Sequence, residues 1–216
     1  MKKTVLKLAI DETQYLSLEF AGKASDLRLL DYITVSYRKG TRKYILYTDD
    51  WVVEALDSFK LILTKAIKNQ LILHSSITAD IGFFWNEYLH DKKSHNFVRK
   101  PLENSTYWLG LDYLLCESKK WDTWMYNNNT DIYLEITPTY PWHFNESKKN
   151  DKFVPYDEFV RKYKPLMIIK IKKNVAQKWL KIVSKLEIIA QTNHEKSIQE
   201  AKDMKKAAIE NEPAKK

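Results

Sequence analysis

The chain has little glycine, almost no cysteine and no long hydrophobic run, and each shortage excludes something. Its four glycines are Gly22, Gly40, Gly82 and Gly110. A phosphate-cradling loop needs several glycines at fixed spacing so that backbone amides can approach the anion. Neither a Walker loop nor a dinucleotide fingerprint can be built from these four. The single Cys116 rules out an internal disulfide and suits a reducing, cytoplasmic compartment. It sits in an apolar run beside Glu117, the setting of a structural thiol rather than a nucleophile. The five histidines stand at no metal-type spacing with cysteine, and there is no HExxH. His90 and His95 flank Asp91 in a polar stretch that reads as surface, so no metal or cofactor is expected. No apolar run reaches the ~18–20 residues that span a bilayer, so no membrane partner is expected. The opening MKKTVLKLAIDETQ fails as a signal peptide, because Lys7 interrupts the run and no small-residue cleavage site follows.

What the chain does have is rings. Tyr107 to Phe144 holds Trp108, Trp121, Trp124 and Trp142 with Tyr107, Tyr113, Tyr126, Tyr133 and Tyr140. Such density serves a rigid recognition surface or a thick aromatic core, since Trp and Tyr bury much area and keep a polar handle. Alternation places Ile132, Leu134 and Ile136 on one strand face and Asp131, Tyr133, Glu135 and Thr137 on the other. In the preceding strand, Asp122, Trp124 and Tyr126 oppose Trp121 and Thr123. One aliphatic face and one face of rings, acids and hydroxyls result.

The remaining patterns give an α+β fold in a single domain, with antiparallel or mixed sheets. The domain spans residues 1–193, and residues 194–216 form a charged helical extension or a disordered tail. Strands are expected over Thr4 to Ile10, Tyr15 to Phe20, Asp31 to Arg38 and Lys43 to Thr48, with a hairpin through Lys39-Gly40-Thr41. An amphipathic central helix follows, roughly Asp50 to Lys68, capped by Thr48-Asp49-Asp50. Leu71 to His74 fits a strand or a helix end, Ala79 to His90 has helical spacing despite Gly82, and Asp91 to Thr106 reads as loop. Tyr107 to Cys116, Trp121 to Tyr126 and Asp131 to Thr137 read as strands, the last two joined by Asn127 to Thr130. Pro138, Pro141 and Pro155 frame a polar connection. Tyr156 to Tyr163 is a short helix, Leu166 to Ile171 a buried-type strand, and Asn174 the cap of a long C-terminal helix.

The net charge is +8. Between Lys148 and Lys181 eleven basic residues meet three acids, an excess equal to that total. Lysines on outward faces read first as solvated surface, and second as the footprint of an anionic partner. Two functional classes follow. The first is a protein-interaction module, such as an immunity or inhibitor protein that blocks a partner protein. Trp121, Trp124, Tyr126, Tyr133, Glu135, Tyr140 and Trp142 would form its surface, with several rings facing water. The second binds nucleic acid or phosphate, stacking bases on those rings while Lys170, Lys172, Lys173, Lys178 and Lys181 meet phosphates. A hydrolase-like enzyme ranks third: His143 with Glu135 or Asp131 could exchange protons, yet nothing in the sequence draws them together.

Overall fold

A computed structural model describes residues 3–77, 80–90, 98–103, 105–143 and 153–210, the last four of these by backbone alone. Four strands open the chain: β1 (Lys3–Ala9), β2 (Gln14–Ala21), β3 (Ile33–Lys39) and β4 (Arg42–Asp49). They form an antiparallel meander in chain order. Strict alternation turns Leu16, Leu18 and Phe20 of β2, with Ile33, Val35 and Tyr37 of β3, into the core. The β3–β4 turn consists of Gly40 and Thr41 between the paired Lys39 and Arg42. Gly40 stands at φ 56°, the left-handed region a two-residue hairpin asks of its first residue.

Helix α1 (Val52–Ile67) buries Val52, Ala55, Leu56, Phe59, Ile62, Leu63 and Ala66, the stripe that three- and four-residue spacing predicts. Its cap differs from the sequence reading. The Val52 amide donates to the Asp31 carbonyl at 3.1 Å and the Val53 amide to that of Leu29 at 3.3 Å. Asp49 Oδ1 accepts instead from the Trp51 amide, one residue earlier. Backbone carbonyls of the 28–31 loop lie against the helix start, so a side-chain cap has no orphan amide left to take.

The second sheet has the order β10-β9-β8-β7 and is wholly antiparallel. Its strands are β7 (Leu114–Glu117), β8 (Trp121–Asn128), β9 (Asp131–Pro138) and β10 (Met167–Ile171). Before it stands a small hairpin, β5 (Arg99–Leu102) and β6 (Ser105–Trp108), where a loop was expected. The strand expected over Tyr107 to Cys116 is broken at Leu109–Tyr113 by a 3-10 turn. The Trp108 ring folds back onto Gly110 there, so closely that a Cβ on Gly110 would overlap it. The β8–β9 turn is only Asn129 and Thr130, with Asn129 at φ 56°.

Asn127, expected in that turn, is a buried strand residue with a structural task. Its Nδ2 donates to the Ala66 carbonyl at the end of α1, and its Oδ1 accepts from the Leu71 amide, both at 3.0 Å. The segment after α1 is thereby stitched along β8. Asn127 satisfies the last turn of a helix from near the end of a strand, a pairing no local pattern announces.

Three further helices complete the fold: α2 (Ile81–His90), α3 (Tyr156–Lys162) and α4 (Lys173–Glu210). α4 begins one residue before Asn174, so Asn174 lies inside its first turn rather than capping it. Ala176, Trp179, Val183, Leu186 and Ala190 bury one stripe against α1 and the first sheet. The Trp179 indole donates to the Ala9 carbonyl at 2.9 Å, and Asn193 Nδ2 donates to those of Ser25 and Leu27. α4 therefore ties the end of the second sheet to the first. The helix continues through His194 to Glu210, with residues 198–206 exposed. Residues 211–216 of the expected tail, His95, Lys148, Lys149 and Lys152 lie outside the described residues.

Helix α2 crosses the ring-bearing face of the second sheet at close range, and Gly82 permits it. A Cβ there would fall 2.0 Å from Thr137 Oγ1 and 2.5 Å from its Cβ. Helix propensity alone favours alanine over glycine by about 1 kcal/mol. The clash decides the sign, because overpacking a fixed contact costs about 1–3 kcal/mol. Gly82→Ala should therefore lower the urea midpoint, and a raised midpoint would show that α2 is not seated on Thr137.

Candidate functional site

The rings expected to meet a partner are mostly interior. Trp124 is 0% exposed, donating its indole N–H to Thr137 Oγ1 at 3.0 Å. Tyr126 is buried, stacked on Tyr133 at 5.7 Å and donating to Glu135 Oε2 at 3.0 Å. Tyr140 is buried and donates to the Val154 carbonyl. Trp121, Tyr133 and Trp142 are half-buried, Trp121 lying edge-on to Tyr44 at the rim between the sheets. α2 and the residues around α3 cover this face, where Trp124 bonds to Thr137 and Tyr126 to Glu135 instead of water. The alternation was right; the inference that a polar strand face points outward was not.

Glu135, the acid singled out for function, is also internal. Its Oε1 lies 3.4 Å from the Gly82 amide at the start of α2. Burial pushes its carboxyl up to about 7, and the Tyr126 hydroxyl draws it back only in part. Nearby Asp122, cross-strand partner of Thr137, is 1% exposed and pushed up to about 8 by burial. Thr139 offsets this only partly, and no hydrogen bond of ordinary geometry reaches either oxygen of Asp122. The acid–base set considered from sequence is not assembled. His143 Nε2 sits 3.2 Å from Asn86 Oδ1, Glu135 holds Tyr126, and Asp131 forms an ion pair with Lys170 at 2.5 Å. Cys116 is buried, its thiol pushed up to about 12.

The basic stripe is divided. Lys170 is the cross-strand neighbour of Tyr133 on the ring-bearing face, and Lys172 stands past the end of β10. Lys173, Lys178 and Lys181 are exposed on α4, off its buried stripe. A single surface joining lysines to stacked, open rings does not form.

A different surface emerges on the first sheet. Its outward positions are Lys3, Val5 and Lys7 of β1, Ser17 and Glu19 of β2, Thr34, Ser36 and Arg38 of β3, and Lys43 and Ile45 of β4. Glu19, 3% exposed, is the hub. Its Oε2 accepts from Lys3 Nζ at 2.8 Å and Lys43 Nζ at 2.7 Å. Its Oε1 accepts from Ser36 Oγ at 2.9 Å, Ser17 Oγ at 3.0 Å and Arg38 Nη2 at 3.3 Å. Burial would raise this carboxyl, but the lysines and serines outweigh it and hold it far below the ordinary carboxylate range. Lys7 lies 4.8 Å over the Tyr15 ring. Three cations thus surround one carboxylate, and on the edge strands β1 and β4 Val5 and Ile45 are 44% and 50% exposed. Between the edge strands, Ser17, Thr34 and Ser36 are buried with Glu19. The sequence signal was present as small Ser and Thr alternating with Lys and Arg, but it needed the register of all four strands to read.

Comparison with protein-family models, with curated proteins and with solved structures finds no match to this chain. No group of three His, Cys, Asp or Glu among the described residues is placed to hold a metal. No helix of the described residues is long and apolar enough to cross a membrane.

Proposed function

We propose that this chain is a protein-interaction module that docks the outer face of β1–β4 onto an acidic surface of a partner protein. The observation that carries the reading is the Glu19 hub flanked by exposed Lys3, Val5, Lys7 and Ile45 on the edge strands. A carboxylate with three cationic partners preorganises the ends of long side chains that would otherwise lose rotamer freedom on binding. The array stays cationic after its internal pairing, which supports steering toward a negative patch. Val5 and Ile45, exposed on the two edge strands, add apolar contact on either side of the hub. A nucleic-acid reading is less favoured here, because stacking needs open ring faces and Lys7 already lies over Tyr15. Occlusion of the partner's acidic site, in the manner of a cytoplasmic inhibitor, is the form of this function that the sequence reading favours.

The test uses two variants whose side chains stand clear of the Glu19 hub. Lys7→Glu combined with Ile45→Asp should weaken capture of the partner protein from a source-cell lysate about 100-fold. Lys178→Glu with Lys181→Glu should leave it unchanged. The reverse pattern would move the interface to α4. A wild-type protein that captures no protein but shifts single-stranded RNA with a steep salt dependence would replace the reading with nucleic-acid binding.

A further inference from the structure

The end of β9, the last turn of α2 and the start of α3 enclose a cleft of about 290 Å³. That is the lower end of the ~300–1,000 Å³ range for ligand sites, so its occupant is small. Rings form its walls. Tyr140 and Trp142 meet at 5.7 Å and 61°, Trp142 and Phe153 at 5.8 Å and 72°, Tyr140 and Tyr156 at 5.2 Å and 75°. Each plane is turned steeply against the next, so ring surface lines more than one side.

Besides its tyrosines, the described polar lining of the cleft is His90, His143 and Asp157, and Asn86 holds one of these. Asn86, 1% exposed, donates to the Gly82 and Pro138 carbonyls at 2.7 and 3.0 Å. Its Oδ1 accepts from the Tyr140 amide at 2.6 Å and faces His143 Nε2. Asn86 thus holds both the ring-bearing strand end and the imidazole in place. Burial, helped by neighbouring His90, lowers His143 to about 4, so it is neutral near pH 7. The exposed carboxylate of Asp157 stands at the wall. In a chain with 36 lysines and arginines, none of the described lining residues is either.

That combination favours a positive charge. Ring faces carry negative quadrupole density and attract cations, and the Asp157 carboxylate adds to the attraction. Hard metal cations want six or more oxygen ligands, which the described lining residues do not supply. A methylated amine wants neither strong donors nor a hydration shell, and packs its methyl groups on ring faces. We propose that this cleft binds a small organic ammonium ion, seated against Tyr140, Trp142 and Phe153 with Asp157 as its counter-charge. The site is separate from the outer sheet face, and neither reading depends on the other. The same chemistry reaches the cleft from a free molecule or from a methylated lysine side chain.

Isothermal titration of the full chain with choline, with its neutral carbon isostere 3,3-dimethyl-1-butanol and with a trimethyl-lysine peptide tests this. Choline or the peptide should bind at least about tenfold more tightly than the neutral isostere. Trp142→Ala should weaken that binding about tenfold. Asp157→Asn, at an exposed position that leaves the fold alone, should weaken it several-fold with the thermal midpoint unchanged. Preference for the peptide over choline assigns the cation to a protein side chain, and the converse to a free molecule. Equal binding of choline and its isostere would reduce the cleft to an apolar hollow and overturn the proposal. Absence of binding by both cations would also overturn it.

Discussion

Trp124→Ala is expected to destabilise the protein by about 3–5 kcal/mol, the range for large aromatic truncations in a close-packed core. The side chain has no solvent exposure. Its ring meets Trp85 edge-on at 6.2 Å and Trp108 at 6.3 Å, and those two stack on each other at 5.7 Å and 12°. Truncation removes the ring that both indoles lean on, and it strips Thr137 Oγ1 of the N–H it accepts. The loss is large against the ~5–15 kcal/mol by which a domain is typically stable. Trp124→Phe separates the two components: it fills most of the space and should lose about 1 kcal/mol for the hydrogen bond alone. Urea midpoints and near-ultraviolet circular dichroism measure both. A Trp124→Ala protein of wild-type stability that fails only to bind a partner would return this ring to the surface.

Asp122→Asn is expected to stabilise the protein at alkaline pH and to leave it unchanged near pH 4. Burial raises the folded-state value to about 8, far above the 3.8 of an ordinary aspartate. The native state therefore holds this proton more tightly than the unfolded chain. The associated stability is fully present below about pH 4 and declines as pH rises through about 8, at roughly 1.4 kcal/mol per unit. Glu135, raised to about 7, acts in the same direction between its unfolded value of 4.5 and pH 7. His143 acts in the opposite direction. Its folded value of about 4 lies below the unfolded 6.5, so stability is lost as pH falls through that window. The carboxyl effect is thus least masked between about pH 6.5 and 8, where the wild type should weaken. The variant should gain on it by several kcal/mol by pH 8–9. Urea midpoints at half-unit pH steps measure the difference, and parallel profiles for the two proteins would show that Asp122 is not buried as a neutral acid.

These two predictions explain why the fold was more legible in the sequence than the site. The strands of the first sheet, α1, β8, β9, α3 and β10 all follow local periodicity, and each stands within a residue or two of its pattern. The elements misread are those whose decisive contact is remote. The β5–β6 hairpin is broken from the next strand by the Trp108 ring on Gly110, and Asn127 serves a helix end far away in the chain. Polarity also misled. Glu135, Tyr126 and Thr137 resemble an outward strand face, yet α2 covers them because Gly82 lets the helix approach. The sheet-face cluster was hidden for the opposite reason. Lys3, Glu19, Arg38 and Lys43 are unremarkable one by one, and only the four-strand register brings three cations onto one carboxylate.

The most direct measurement is lysine acetylation footprinting of the protein alone and in complex with its captured partner. Docking through β1–β4 predicts that Lys7 and Lys43 lose reactivity in the complex while Lys178 and Lys181 react as before. Protection confined to Lys178 and Lys181, with Lys7 and Lys43 unaffected, would contradict the account.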